Sequence, residues 1–529
     1  MTIKRLILTF IMTPIAVLLA VLSLFGSWQE PQFQSRLELY QTNIALQAQA
    51  WQSEDSSDDN LQAIREAILG DQPLESATKQ YQEAHQSVQT NLDKVNSKLA
   101  QLRSQPEITP IPPKPLPDVS PTTKTSQQTQ QQGQQQQLQQ SVNKLEKLLA
   151  ELDLRLGILQ AQQGQTDVAL KTWNELQKRS DINPEFGQTA AILSGLWSNP
   201  PRLLPNAQQP IQKNLEGWFS STALIRLYQL QQRQQALSAV KAAQQEAATS
   251  AVLKLAIIGT IPTLAALIGL ILLIFLFAQR LLKGKASLLS QNADLPWSTP
   301  WDGETVLQVF VLGFFFMGQL FVPALLSLLP IERPVTDVRL QAFSVLVSYI
   351  LVASGALLVL YFSIKRFFPL PEFWFRLRFQ DKWFLWGLGG YCTALPIVVV
   401  VSLINQQLWQ GQGGSNPLLQ LALESQDGVA LGIFFFTAAI AAPFFEELLF
   451  RGFLLPSLTR YLPVWASILV SSLLFAIAHL SLSEILPLTA LGVVLGVVYT
   501  RSRNLLAPML LHSLWNSGTL LSLFILGSH

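Results

Sequence analysis

The chain has 529 residues, of which 49% are hydrophobic and 13% charged, with a mean hydropathy of +0.28. That balance excludes disorder throughout and an ordinary string of soluble domains, and a lone cysteine, Cys392, excludes a disulfide-stapled scaffold. A formal net charge of +2 is too even to make nucleic acid the partner, so the charges act by position.

An apolar run from Leu6 to Trp28 follows Lys4 and Arg5 and contains no charge. It is long enough to cross about 30 Å of hydrocarbon. It exceeds the apolar core of a signal peptide, and Ser23, Leu24, Phe25 and Gly26 offer no small-x-small cleavage pattern, so residues 1–28 read as an uncleaved transmembrane anchor. Residues 29–250 are polar, rich in Gln and Ala, and show helical spacing at Leu61, Ile64, Ala67 and Ile68, which predicts an extramembrane helical domain. The Pro-rich stretch Pro106 to Pro121 predicts an extended linker, and the Gln-rich tract up to Gln140 continues it as a loose joint. Beyond it, Leu156, Gly157, Gly164, Ala169 and Trp173 fall at offsets that resemble one tetratricopeptide unit, although an ordinary helical hairpin packs small residues against an aromatic in the same way. A degenerate second unit surrounds Ala223, Leu227, Ala236 and Val240. Such a domain is the candidate surface for a protein partner.

From about residue 251 onward, apolar segments recur near 255–278, 304–329, 341–363, 383–404, 429–450, 464–480, 485–500 and 505–526. With the anchor they make nine expected spans of an all-α polytopic bundle, with additional helices in 251–375 and the chemistry in 376–529. Basic residues gather on alternate connections: Lys4 and Arg5, Arg280 to Lys285, Lys365 to Lys382, Arg460, then Arg501 and Arg503. The positive-inside rule then puts the N-terminus in the cytoplasm and residues 29–250 on the far side, with His529.

Within the apolar stretch Phe434 to Leu455 stand Glu446, Glu447 and Arg451. One such group costs about 2.5 to 3.5 kcal/mol at the centre of a spanning helix, so these are functional candidates. Glu447 and Arg451 at i and i+4 suit a same-face ion pair, which could be structural. Glu446 is rotated about 100° away and needs a partner on another helix or a proton. His479, ending Phe475-Ala-Ile-Ala-His, and His512 with Asn516 at i+4 are available for that need. Counted along the helices, Glu446 and His479 come to similar depth on either side of a turn near Tyr461 to Pro463, and His512 is shallower. Taken singly, His479 can be a packed core histidine and His512 with Asn516 an interhelical hydrogen-bonding pair. Together, a carboxylate and an imidazole can activate water while a second imidazole and an amide stabilise an oxyanion, which suits carbonyl hydrolysis.

These residues also carry a resemblance. Glu446-Glu447-x-x-x-Arg451, Phe475-x-x-x-His479 and His512-x-x-x-Asn516, in that order, resemble the motifs of the CAAX protease and bacteriocin-processing (CPBP, or Abi) family, relatives of the type II CAAX prenyl endopeptidase, over roughly Trp383 to Leu526. The resemblance implies an intramembrane endopeptidase acting on a membrane protein or peptide substrate. Glu446 with His479 would activate water, His512 and Asn516 would hold the oxyanion, and Glu447 and Arg451 would support the site. No cofactor is expected; the alternative is zinc on Glu446, His479 and His512, although the His-Glu-x-x-His helix of zincins is absent. A catalytically silent membrane scaffold or immunity protein would carry the same motifs.

Overall fold

A computed structural model describes residues 3–28, 33–51, 72–104, 122–179, 184–328, 337–409, 412–416, 419, 421 and 427–527. They form helices and no β-strand, as the apolar periodicity predicts. Leu61 to Ile68 and Pro106 to Pro121 lie outside the described residues. The Gln-rich tract does not stay open as expected: it is helical from Thr122, within Thr122–Gln162. Gln has good helix propensity, so a tract without an apolar stripe can still propagate a helix continuing into the periodic sequence after Val142.

The described residues fall into two units, Leu37–Ala256 and the pair Met1–Arg36 with Ile257–His529. The first is built of helical hairpins. Thr122–Gln162 turns at Gly164, whose φ of +80° suits glycine, into Thr166–Lys178. The hairpin closes because Gly157 has no side chain: a Cβ there would stand 2.2 Å from Trp173 Nε1. Trp173 is fully buried, and its indole N–H donates to Leu154 O at 3.2 Å. Gly217–Leu230 turns at Gln232 into Gln234–Lys283, and Ala223 and Leu227 are buried with Ala236 and Val240 packed beside them. Tyr81 sits in the same core against Phe219, donates to Asn43 Oδ1 at 2.5 Å, and has its phenol pushed up to about 12 by burial.

Among the described residues, eight helices are long and apolar enough to cross a membrane, all in the second unit except the first part of Gln234–Ala286: Arg5–Ser27, Gln234–Ala286, Gly303–Ser327, Val338–Phe367, Trp383–Trp409, Gly428–Leu458, Ile485–Ser502 and Leu506–Gly527. Their outer faces expose large apolar side chains such as Phe10, Ile271, Phe275 and Phe277, the surface that hydrocarbon solvates and water does not. The ninth expected span differs. Val464–Ile477 has 14 residues, which at 1.5 Å each reach only about 21 Å. It stops because the chain enters a turn at His479 and Leu480, the latter at φ +55°. The irregular backbone that follows is held by protein partners, as an apolar environment requires. Leu482 N donates to Ser27 Oγ at 3.1 Å, Ser481 and Ser483 donate to the Gly413 and Gly414 carbonyls, and Asn405 Nδ2 donates to Ser483 O at 2.7 Å. The short helix packs closely on Ile485–Ser502 through Gly492 and Gly496, where a Cβ would meet Ser472 and Ile468 at 2.8 Å each. This is the small-xxx-small device of apolar bundles.

Candidate active site

The Gly428–Leu458 helix carries both glutamates on a short α-helical stretch, Ala442–Glu447, flanked by π-helical stretches Phe436–Ala441 and Leu448–Leu454. The first irregularity has an identifiable cause. Pro443 has no N–H, so Ala439 O loses its α-helical partner and Ala438 O its π-helical one. Two side chains of Leu506–Gly527 replace it: Ser513 Oγ donates to Ala439 O at 2.6 Å and Asn516 Nδ2 to Ala438 O at 2.7 Å. The second is met from the short helix, where Ser471 Oγ donates to Phe450 O at 3.1 Å. Pro443 therefore writes a hydrogen-bonding demand into one helix that only correctly placed neighbours satisfy, and the same contacts set His512 opposite the glutamates.

Glu447 and Arg451 form the ion pair expected from their spacing, at 2.8 Å with both side chains buried. Arg451 also donates to Gly492 O at 3.2 Å and lies 4.5 Å over the Phe475 ring. His512 Nδ1 lies 2.8 Å from the same carboxylate oxygen, Glu447 Oε1. With Glu447 ionised, that nitrogen carries a hydrogen and donates it, which turns Nε2 toward Glu446 Oε2, 3.9 Å away. Glu446 thus finds the partner on another helix that its position demands. Its other oxygen accepts from Tyr349 OH at 3.3 Å.

His479 stands apart from this chain of contacts. Its Nδ1 lies 2.9 Å from Phe475 O. A carbonyl can only accept, so Nδ1 bears the hydrogen and a neutral ring keeps the Nε2 lone pair. Phe475 spaces the groups, edge-on to His479 at 5.0 Å and to His512 at 5.7 Å between ring centroids. Glu446 and His479 share the wall of one cavity of about 390 Å³, otherwise lined mostly by apolar side chains including Phe310, Phe314 and Val17. Beside His479, the Glu484 carboxyl is pushed up by burial, against the pull of the Asn416 N–H that it accepts at 2.7 Å and of His479 itself.

Glu446, Glu447, Arg451 and His512 are therefore in mutual reach, His479 faces the same cavity as Glu446, and Asn516 is engaged by Ala438 O. Among the described residues, no group of three or more His, Cys, Asp or Glu side chains is placed together as a metal ion would need. Sequence reasoning missed Tyr349, Ser513 and Ser471. Tyr349 was visible only as one hydroxyl inside the apolar run 341–363, and Ser513 only as the residue after His512.

A model of the type II CAAX prenyl endopeptidase Rce1-like family matches residues 428–518. The membrane-embedded CAAX protease MroQ of Staphylococcus aureus is 28% identical over 137 residues, 25% of this chain and 54% of that protein. YdiL, a candidate membrane peptidase of Bacillus subtilis, is 27% identical over 133 residues, 25% of this chain and 53% of that protein. An uncharacterized 24.3 kDa protein of Escherichia coli is 42% identical over 81 residues, 14% of this chain and 37% of that protein. The chain spans about half the length of the first two of these relatives. No solved structure matches it. Glu446, Glu447, Arg451, His479, His512 and Asn516 all fall within the matched segment, so over residues 428–518 the chain is similar to the Rce1-like CAAX protease family.

Proposed function

We propose that the chain is an intramembrane endopeptidase of the glutamic type, cleaving membrane-associated proteins or peptides with water activated by Glu446 and His479. The observation that carries the reading is the placement of Glu446: a carboxylate anchored by Tyr349, faced by His512, on the wall of an apolar cavity that His479 also lines. Two carboxylates and one guanidinium leave the group one negative charge, which a proton on His512 Nε2 cancels. Water hydrogen-bonded to the His479 Nε2 lone pair gives a proton to Glu446 as its oxygen adds to the peptide carbonyl carbon. The developing oxyanion takes a hydrogen bond from His512 Nε2–H and from the amide hydrogen that Asn516 keeps beyond its bond to Ala438. Glu446 then passes the proton to the amide nitrogen as the C–N bond breaks, releasing an amine and a carboxylic acid whose remaining proton passes to the amine. Glu447 and Arg451 hold His512 and touch no substrate.

The reading is independent of metal, and a cavity walled by Phe310 and Phe314 suits an apolar substrate segment. Residues 37–256, with their tetratricopeptide-like hairpins, serve as a surface for recruiting protein partners or substrates. The deciding experiment compares wild type, Glu446→Gln and His479→Ala, each reconstituted in liposomes, on total membrane proteins with fragments identified by mass. Loss of the general base lowers turnover by about a hundredfold or more, with melting temperature retained and wild-type cleavage insensitive to chelators. Near-normal fragments from Glu446→Gln overturn the assignment, and no fragments from the wild type favour the silent scaffold.

A further inference from the structure

A second cavity, polar and of about 280 Å³, lies where the Trp383–Trp409 helix begins and the Ile485–Ser502 helix ends. Four cations line it, Arg376, Lys382, Arg501 and Arg503, with one carboxylate, Asp381. Asp381 is paired with Arg376 at 3.0 Å. The other guanidinium hydrogen bonds go to neutral groups: Arg501 Nε to Leu289 O at 2.6 Å and Nη1 to Thr500 Oγ1 at 2.9 Å, and Arg503 Nη2 to the carbonyls of Asn292 and Leu295. Asp294, outside the wall, acts on Arg501 electrostatically. The Nε atoms of Arg376 and Arg503 are buried with no hydrogen-bond partner among the described residues, although Arg503 is only 4% exposed. Burial pushes the Arg503 guanidinium down to about 10, and the neighbouring Arg501 charge acts in the same direction.

The fold builds this concentration deliberately enough to fix its geometry. Asn504 clamps the two basic segments, accepting from Arg378 N at 3.3 Å and donating to Arg378 O at 2.6 Å, while Leu505 N donates to Arg376 O at 2.9 Å. Arg503, at φ +51°, ends its helix and stacks 3.5 Å over Trp297. Trp383 and Trp386 line the same cavity. Indoles at the end of a spanning helix mark the depth of lipid headgroups, and basic pockets between helix ends are suited to them.

We infer that this cavity is a binding site for a phosphate group, supplied by the headgroup of an anionic phospholipid whose chains run along the Trp386 side of the bundle. An anion there offsets the charge of Lys382, Arg501 and Arg503, the three lining cations that are not paired with Asp381. Nothing in the proposed chemistry at Glu446 uses it. The test is titration of purified full-length protein in neutral detergent with short-chain phosphatidylglycerol, phosphatidylcholine or inorganic phosphate, reading bound lipid by native mass spectrometry and the melting temperature. Phosphatidylglycerol should bind and stabilise while phosphatidylcholine does not, and Lys382→Gln and Arg376→Gln should each weaken it about fivefold. Lys382 is exposed on the rim, so its variant keeps the test valid if an arginine variant fails to fold. Stabilisation by inorganic phosphate at similar concentration, lost in the same variants, supports the site with a free phosphate as its source. Equal binding of the two lipids, or wild-type affinity for both probes in the Lys382→Gln, Arg376→Gln double variant, overturns it.

Discussion

Replacing Arg451 by Met keeps most of the side chain's volume and removes its charge. In the structure this leaves Glu447 buried at 0% exposure without its cation, removes the guanidinium's bond to Gly492 O, and takes the cation from over Phe475. Breaking one side of a buried pair costs about 3 to 5 kcal/mol, a range that already includes the lost bond to Gly492 O. His512 Nδ1 still donates to Glu447, which keeps the total within that range. At about 2 to 4 °C per kcal/mol, the melting temperature should fall by on the order of 10 °C. The assay is supplied by the chain: Cys392, its single cysteine, is buried on the Trp383–Trp409 helix, so a thiol-reactive fluorophore reports its exposure on heating. The Glu447→Leu, Arg451→Met double variant removes the stranded charge and should recover most of the loss. A single variant melting within about 2 °C of wild type, or a double variant no more stable than the single, refutes the reasoning about the ion pair.

Asn516→Leu should cost about 1 to 3 kcal/mol by stranding Ala438 O, and Pro443→Ala in the same chain should recover part of it by restoring an N–H; an additive pair in the same thermal assay removes Pro443 from the explanation. Gly157→Ala should cost about 1 to 3 kcal/mol by driving a methyl into Trp173, seen as faster amide exchange across 154–176 with exchange in 485–527 unchanged; unaltered exchange means the crossing relaxes freely. For topology, in a Cys392→Ala background, Lys285→Cys should be labelled only from the cytoplasm and Lys144→Cys only from the far side; the reverse pattern would show that the alternation of basic residues misled. 

Much of the membrane unit was legible because bilayer physics is written locally. A run of apolar residues must be helical and must span, and an ionisable group inside it must find a partner; Glu447 and Arg451 even disclosed each other by their i, i+4 spacing. Helix existence was equally legible in the Gly157 and Trp173 hairpin, where both residues lie near one turn. What sequence spacing could not decide was everything set by contacts between distant segments. The 464–480 run looked like a span until the turn at Leu480, pinned by Ser27, Gly413 and Gly414, stopped its helix at Ile477. Tyr349 reached Glu446 across 97 positions and Asn516 reached Ala438 across 78. Pro443 announced a break in its own helix, but which carbonyls it orphaned, and which neighbours answered them, depended on the register of Leu506–Gly527 against Gly428–Leu458. The sequence by itself determined which groups could not be left alone in hydrocarbon; only the tertiary structure decided which partner each received, because that choice is made by helix packing over several turns and not by any local preference.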